Sequence, residues 1–351
     1  MARALMLARA GWGQVAPNPL VGAVLVRDGE CVGEGAHRRF GEAHAEVEAL
    51  AAAGEQAHGA TLYVNLEPCT HHGKTPPCVE AIIRAGVSRV IVAVRDPNPD
   101  ASGGVEKLRE AGILVDVGML HEQGAELNAP FLHSFRSDRP WVTLKLAISL
   151  DGAIAGAAGT TTWLTGTPAR QRVHYVRSGY DAIAVGMKTV VIDDPQLTVR
   201  DADPPRVAPT RVIFSRTGEL PLESKVARST HEAPVVVIAS SPDAEHTRAL
   251  RRRGVETISA SSLIDALRTL RARGIRSLLV EGGALLAASF LEADLVDRVI
   301  LFQAPVVLGE GAVSAFGTLS RKTTAPMHRW RPIDSEWVGQ DQMLVFAPEG
   351  H

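Results

Sequence analysis

Four residues in the first quarter of the chain, His44, Glu46, Cys69 and Cys78, have the types and spacing to do chemistry together. One imidazole and two thiolates are the donor set of a zinc site whose fourth position stays open to water. Presence is not enough, because tetrahedral coordination must bring the three donor atoms within about 4 Å of one another. Eight residues separate Cys69 from Cys78. That loop is long enough to wrap an ion, and Pro68, Pro76 and Pro77 stiffen it by limiting its unfolded freedom. Cys78 is expected to begin the helix CVEAIIRAG, where the positive helix end favours a thiolate. Glu46 lies in the first turn of another expected helix, a place that suits a carboxylate whether or not it reacts. Its position beside His44 gives it a role: an activated water attacking an amidine-like carbon needs a neighbour to take its proton and hand it to departing ammonia.

His71 and His72 lie inside the same loop and rival His44 on residue type alone. Adjacent residues cannot easily both face one ion, and replacing His44 would leave the HAE sequence without a purpose. They read as exposed loop residues or as contacts for a substrate phosphate. His37, His58, His121 and His133 have no such context and read as surface or packing residues. Asn18 stands between Pro17 and Pro19, its backbone restricted on both sides, which suits an amide presented to a heterocycle; Gly22 lets the chain approach closely. Cys31, the third cysteine, follows the Asp28-Gly29 turn in an apolar stretch and reads as a small buried side chain.

The elements that must position these groups alternate between strand and helix. After an N-terminal Ala/Leu helix come a hairpin over 21–35, a helix from about 44 to Gly54, and then strands TLYVNL, RVIVAV and ILVDVG, each followed by a helix. Strands and helices of this length imply a sheet covered by helices, and the hairpin makes that sheet mixed. RSDRP at 136–140 breaks the pattern as a linker. A second α/β alternation runs from Trp141, with an irregular, Pro- and Asp-rich loop from about Asp193 to Pro209 of the kind that binds ligands. A chain of 351 residues is about right for two domains, each with its own core; the reading is 1–138 and 139–351.

Composition excludes several classes. No apolar run reaches the roughly 18 residues of a membrane span, and Arg9 interrupts the apolar start that a signal peptide would need. A net charge of -2 gives no general attraction to polyanions, so a small-molecule substrate is favoured over nucleic acid. Three cysteines, two of them in the metal cluster, argue against a disulfide framework and for a cytoplasmic, reducing setting.

In the second half there is no GxGxxG, so an ordinary dinucleotide fingerprint is absent. VEGGALL instead places Glu281, Gly282 and Gly283 between a β run and a helix, where backbone amides at the helix start can hold a cofactor phosphate. Arg177 and Arg200 are candidate forks for a sugar phosphate, since guanidinium groups meet phosphate oxygens bidentately.

HxE followed by PC and a second Cys is the pattern of zinc deaminases that act on nucleobases. PNPLVG, HAEVEAL, LEPCTHHGKTPPC and DPNPD, with LKLAISLDG, DDPQLTVR and VEGGALL later, make the chain over nearly its whole length resemble the bifunctional riboflavin-biosynthesis deaminase/reductase family. The long loop carrying HHGKTPPC, in place of the PCxxC of nucleoside and transfer-RNA deaminases, is the most specific part of that likeness. The resemblance implies a cytidine-deaminase-like N-terminal domain that hydrolyses the ring amino group of a diaminopyrimidine bearing a ribosyl phosphate. It also implies a dihydrofolate-reductase-like C-terminal domain that uses NADPH to reduce the ribosyl group to a ribityl chain, and a homodimer or higher homo-oligomer through that domain. By position it implies substrate contacts from Asn18, Thr161, Arg177, Leu197, Arg200 and Glu281. Cofactor contacts would come from Ile148, Trp163, Thr189, Asp193, Ser215, Gly283, Ala284, Leu285, Leu286, Ala287, Ala288 and Ser289. The chain departs from the family in AGTTTW, where Ser-Gly-Glu-Ser usually precedes the Trp, and in Ile148, where a smaller residue often lies.

Two readings compete with this one. A nucleic-acid base deaminase would need a basic channel lined with aromatics, yet aromatics are 5% and this half has no Lys/Arg stripe. A zinc-stabilised binding module would need a fourth protein ligand to close the site, and only His71 or His72 could provide it.

Overall fold

A computed structural model describes residues 1–73, 76–157, 163–317, 319 and 329–349. The chain divides into two compact units, Met1–Ser137 and Asp138–His351.

In the first unit, strands β1 (Gly22–Arg27), β2 (Glu30–Ala36), β3 (Thr61–Leu66), β4 (Arg89–Val94) and β5 (Leu114–Val117) form one sheet in the order β2-β1-β3-β4-β5. The hairpin strand β1 runs antiparallel to β2 and β3, while β3, β4 and β5 are parallel. Helices α1 (Ala2–Ala8), α2 (Ala45–Ala53), α3 (Cys78–Arg84), α4 (Gly104–Glu110), α5 (His121–Leu127) and α6 (Ala129–His133) cover it. Strand alternation decides which face meets which helices. Val90 and Val92 of β4 join Ala49, Ile82 and Leu108 of α2, α3 and α4 in one core, whereas Ala93 packs with Leu132 of α6 on the other side. Close approach needs glycine at β2: a Cβ on Gly35 would collide with the Ala45 carbonyl, so Gly35 lets the start of α2 bed onto the sheet. The ends of α2 and α3 that carry His44, Glu46 and Cys78 are fixed by this packing.

Cys31 is exposed, contrary to the buried position expected for it. The Asp28-Gly29 turn takes positive φ at both residues (52° and 85°), and an irregularity at Leu25/Val26 pairs Val26 with Cys31. Strand β2 is an edge, and the thiol there lies 3.8 Å from Glu34 Oε1.

The second unit is built on a nine-stranded sheet. Its strands are β6 (Trp141–Ile148), β8 (Ala182–Gly186), β9 (Thr210–Ser215), β10 (Val235–Ala239), β11 (Val255–Ser259), β12 (Ser277–Glu281), β13 (Arg298–Gln303), β15 (Trp330–Val338) and β16 (Asp341–Pro348). They lie in the order β11-β10-β9-β8-β12-β6-β13-β16-β15, parallel up to β13 and antiparallel beyond it. Short strands β7 (Ala153–Ala155) and β14 (Val313–Ser314) form a separate antiparallel pair. Helices α7 (Thr167–Ser178), α8 (Met187–Asp193), α9 (Lys225–Arg228), α10 (Ala244–Arg252), α11 (Leu263–Ala272) and α12 (Ala284–Glu292) complete the unit. Both sheet faces are buried, as parallel strands require: Ala182, Val212 and Val236 face a core with Leu267 and Phe290, while Ile183, Ile213 and Val237 face another with Val190 and Leu250. Strand β11, helix α8, the small β7-β14 pair and the β15-β16 hairpin were not anticipated from the sequence.

Candidate active sites

In the first unit the three expected ligands converge. His44 caps α2 with an extended backbone, Cys78 opens α3, and Cys69 lies in the loop after β3. His44 Nδ1 is 3.2 Å from Cys78 Sγ and 3.5 Å from Cys69 Sγ, and all three donor atoms lie within 4.8 Å of one another. Tetrahedral zinc, from its usual Zn–N and Zn–S bond lengths, sets such donors about 3.5 Å apart, so the residues present fit the ion. Among the described residues this group has three members and neither His71 nor His72. His72 is exposed and lies 3.9 Å from Glu80, and among the described residues no fourth protein ligand joins the three.

The electrostatics are those of a site built for a dication. A hydrogen bond from Cys78 holds the Cys69 thiol well below its ordinary range. Its counterpart at Cys69, with burial, raises Cys78, and a hydrogen bond to Cys69 raises His44. Protons held between these ligands are what a metal displaces on binding. Glu46 is only 3% exposed. Burial first, then the charge of Cys69, pushes its carboxyl up to about 7, the range in which a group both accepts and releases a proton near neutrality.

Asn18 is held by a layer of side chains that sequence reasoning missed. Its Nδ2 lies 3.2 Å from His37 Nε2. His37 is buried, its Nδ1 is 3.0 Å from the Ala43 carbonyl, and its ring stands edge-on to His44 at 5.2 Å. Donation to that carbonyl puts the ring proton on Nδ1 and leaves Nε2 to accept from Asn18; burial lowers the His37 pKa and keeps the ring neutral. Two buried asparagines fix the rest of the loop. Leu20 donates its N–H to Asn128 Oδ1 and its carbonyl accepts from Asn65 and Asn128, while Gly22 N–H donates to Asn65 Oδ1. The close approach at Gly22 is to α1, where a Cβ would collide with the Ala4 carbonyl. Nothing in the spacing around His37, Asn65 or Asn128 marks them; only the fold brings them here.

In the second unit the candidate residues gather at the carboxyl edge of the parallel sheet. From β8 the chain continues through α8 towards β9, and from β12 through α12 towards β13, on the opposite side. Strands whose connections diverge in this way leave a crevice at their carboxyl ends, where open α/β sheets bind ligands. Ile148 ends β6, Thr189 and Asp193 lie on α8, Ser215 ends β9 and Gly283 caps α12. A Cβ on Gly282 would meet Leu286 at 3.1 Å, so this residue stays bare and keeps the backbone open to a phosphate. Of the α12 residues, Ala284, Ala287 and Ala288 are buried, Leu286 is partly buried, and Leu285 and Ser289 face outward. Trp163 is exposed, with the Arg170 guanidinium 5.2 Å from its ring. Thr161 lies outside the described residues.

Arg177 forms a two-pronged ion pair with Glu281 (2.6 and 2.9 Å) and donates to the Thr198 carbonyl. Lys145 Nζ stands 3.6 Å from the same carboxylate. Burial works against the Glu281 charge, but Arg177 and Lys145 outweigh it and hold the carboxyl at about 2. Leu197 is buried with φ of 56°, and the exposed Arg200 bonds to Gln196 and Thr198 while its N–H donates to His174 Nδ1. Lys145 and His174 were not singled out in the sequence; both gain meaning only from facing Glu281 and Arg200.

A zinc-deaminase centre in one unit and a cofactor crevice in a mixed, largely parallel sheet in the other define the class: a deaminase joined to a nucleotide-dependent reductase. Comparison with known proteins agrees half by half. Residues 1–94 match the cytidine and deoxycytidylate deaminase zinc-binding region, and residues 140–344 match the RibD C-terminal domain. The chain is 44% identical to riboflavin biosynthesis protein RibD of Aquifex aeolicus over 99% of its length and 97% of that protein. It is 39% identical to that of Escherichia coli, with 98% and 97% covered. The structure of a diaminohydroxyphosphoribosylaminopyrimidine deaminase/5-amino-6-(5-phosphoribosylamino)uracil reductase from Thermotoga maritima superposes with a TM-score of 0.84 at 38% identity, covering 99% of this chain and 97% of the other. This chain belongs to the RibD family of riboflavin biosynthesis proteins. It is a bifunctional enzyme with zinc-dependent deaminase and NADPH-dependent reductase activities.

Proposed function

We propose that the chain catalyses two consecutive steps of riboflavin biosynthesis, divided between residues 1–138 and 139–351. The first is hydrolysis of 2,5-diamino-6-(5-phosphoribosylamino)pyrimidin-4(3H)-one to 5-amino-6-(5-phosphoribosylamino)uracil and ammonia. The second reduces the ribosyl group of that product to the ribityl phosphate. The observation that carries the reading is the convergence of His44, Cys69 and Cys78 beside a buried Glu46.

Zinc held by His44, Cys69 and Cys78 supplies Lewis-acid activation of water at neutral pH. Asn18, locked by His37, presents its amide to the pyrimidine and holds the ring in register. Glu46 takes the proton that water loses as its oxygen bonds to the ring carbon, and delivers it to the amino nitrogen as the C–N bond breaks. In the second unit NADPH supplies the hydride. Here the chain's task is alignment: Glu281, Arg177, Leu197 and Arg200 would bind the substrate on the β12 side of the crevice, and the Gly283 end of α12 would hold the cofactor phosphates.

The test is a coupled assay that follows ammonia and NADPH absorbance in one cuvette; zinc-loaded protein that releases no ammonia from the diaminopyrimidine phosphate refutes the reading. No helix among the described residues is long and apolar enough to cross a membrane, and the exposed and buried thiols suit a reducing cytoplasm. Self-association through the second unit is proposed on β15, which among the described residues pairs with β16 alone and exposes Trp337; light scattering of the purified chain reads it directly.

A further inference from the structure

We propose that His174 is a positioning residue for the reduction: as a neutral ring it holds the Arg200 backbone where the sugar phosphate of the substrate binds, and on protonation in acid it lets go. The proposal deepens the reductase reading above and rests on it. Leu197 and Arg200 are substrate groups of that reading, and both belong to the irregular segment between α8 and β9. Among the described residues no strand ladder holds this segment; side chains from α7 and β9 do. The Gln196 carbonyl accepts from Arg211 Nη1 (3.2 Å), the Thr198 carbonyl accepts from Arg177 Nη1 (3.1 Å), and the Arg200 N–H donates to His174 Nδ1 (3.2 Å). Between the first two anchors Leu197 takes a φ of 56°, a conformation that a leucine keeps only where its surroundings impose it. The Arg200 guanidinium donates to Gln196 Oε1 (2.8 Å) and Thr198 Oγ1 (3.2 Å), so fixing the backbone of this segment also fixes the fork.

Of the three anchors only His174 changes charge near neutrality; the two arginines keep theirs. His174 is buried on α7. Arg177 of the same helix, Arg200 and Asp201 of the segment, and Glu281 of β12 face it. To accept at Nδ1 the neutral ring carries its proton on Nε2, which lies 4.0 Å from Asp201 Oδ2. Burial first, then Arg177 and Arg200, lower the His174 pKa from the ordinary 6.5 and outweigh Asp201 and Glu281. The accepting form is therefore the one present at neutral pH. A second proton turns Nδ1 into a donor facing the Arg200 N–H, and two opposed donors break the third anchor. Because the pKa is depressed, this release falls below pH 6.5.

The test follows NADPH absorbance during reduction of pre-deaminated substrate by the full-length chain, with KM and kcat measured between about pH 7.5 and 5.5, where histidines change charge. His174→Leu removes the acceptor. Its KM for substrate is expected to rise by about 3- to 10-fold, the worth of one hydrogen bond, with kcat and the KM for NADPH within about twofold of the parent. His174→Asn sets an amide oxygen where Nδ1 stands and recovers most of that loss, since it accepts the Arg200 N–H at any of these pH values. On acidification the parent KM for substrate rises, and that of His174→Asn rises less. The substrate phosphate, whose second pKa is about 6, titrates in both and cancels in the comparison. Coincident profiles for parent and His174→Asn overturn the proposal, and this comparison decides even if His174→Leu fails to fold. A parent KM that falls in acid overturns it as well, by making His174 a cationic phosphate ligand. Equal rises in the KM of substrate and of NADPH in His174→Leu leave only a structural role and reject it too. Parent protein that oxidises no NADPH with this substrate overturns the reductase reading itself, a result that no difference between variants imitates.

Discussion

The two halves of this molecule assemble their chemistry in opposite ways. In the first unit the reactive groups are close in sequence, with His44 and Cys78 34 residues apart, and sit on the ends of two helices that share one core. In the second, Arg177 and Glu281 meet across 104 residues, and the cofactor crevice is drawn from the ends of four strands. Metal chemistry demands a few donors at fixed short distances, and the starts of two helices with the loop after β3 provide them locally. Hydride transfer demands that two large molecules lie along a groove, and only a wide sheet provides that length. The lesson is that a chemical motif is readable where the ligand is a point and scattered where the ligand is extended.

Glu46→Gln breaks the comparison most sharply. It should lower the deamination rate by between about 100- and 10,000-fold, the usual worth of a positioned proton carrier, while metal analysis still finds one zinc per chain. Reduction of pre-deaminated substrate should proceed unchanged; a parallel loss would show that the halves are not independent. Conversely, Glu281→Gln strands Arg177 and Lys145 without their counter-charge, and breaking such a buried pair costs about 3–5 kcal/mol. Calorimetry should show the second unit melting earlier, with reduction lost and ammonia release retained.

The same carboxylate gives a pH signature. Glu281 is held at about 2 against an ordinary 4.5, so the unfolded chain binds this proton more readily than the folded one. Its contribution to stability is present above about pH 4.5 and is lost as pH falls towards 2. Acid titration followed by circular dichroism should show the second unit losing stability across this window in the parent and a flatter response in Glu281→Gln.

Smaller effects sharpen the local side of the comparison. Asn65→Ala leaves the Gly22 N–H without its buried acceptor and the Leu20 carbonyl with Asn128 alone, and should cost about 1–3 kcal/mol, seen as a lower melting temperature for the first unit and a raised KM for deamination. Cys31→Ser should change stability by no more than about 0.5 kcal/mol. Without denaturant, a thiol reagent should modify one cysteine in the parent and none in this variant, since Cys69 and Cys78 are buried.

The strands of the first unit were legible because their apolar runs are bounded by turns, and its reactive groups because HAE and the two cysteines carry a spacing that few other chemistries need. The β15-β16 hairpin was not: most of β15 is exposed, and an irregularity between Pro332 and Asp334 breaks its alternation. Cys31 was misplaced because local apolarity says nothing about which strand becomes a sheet edge. His37 was passed over because an isolated histidine carries no sequence signal until a ring edge and a carbonyl are brought to it.

From its residues alone the chain determined a mixed α/β organisation, a three-donor metal set and an acid beside it, since periodicity and ligand type are local properties. Tertiary packing alone decided that His37 would orient Asn18 and that Lys145 would join Arg177 against Glu281. Those outcomes depend on which strands become neighbours and on which side groups are shut away from water. Both are set by burying the two faces of a sheet at once, a condition that no short stretch of sequence contains.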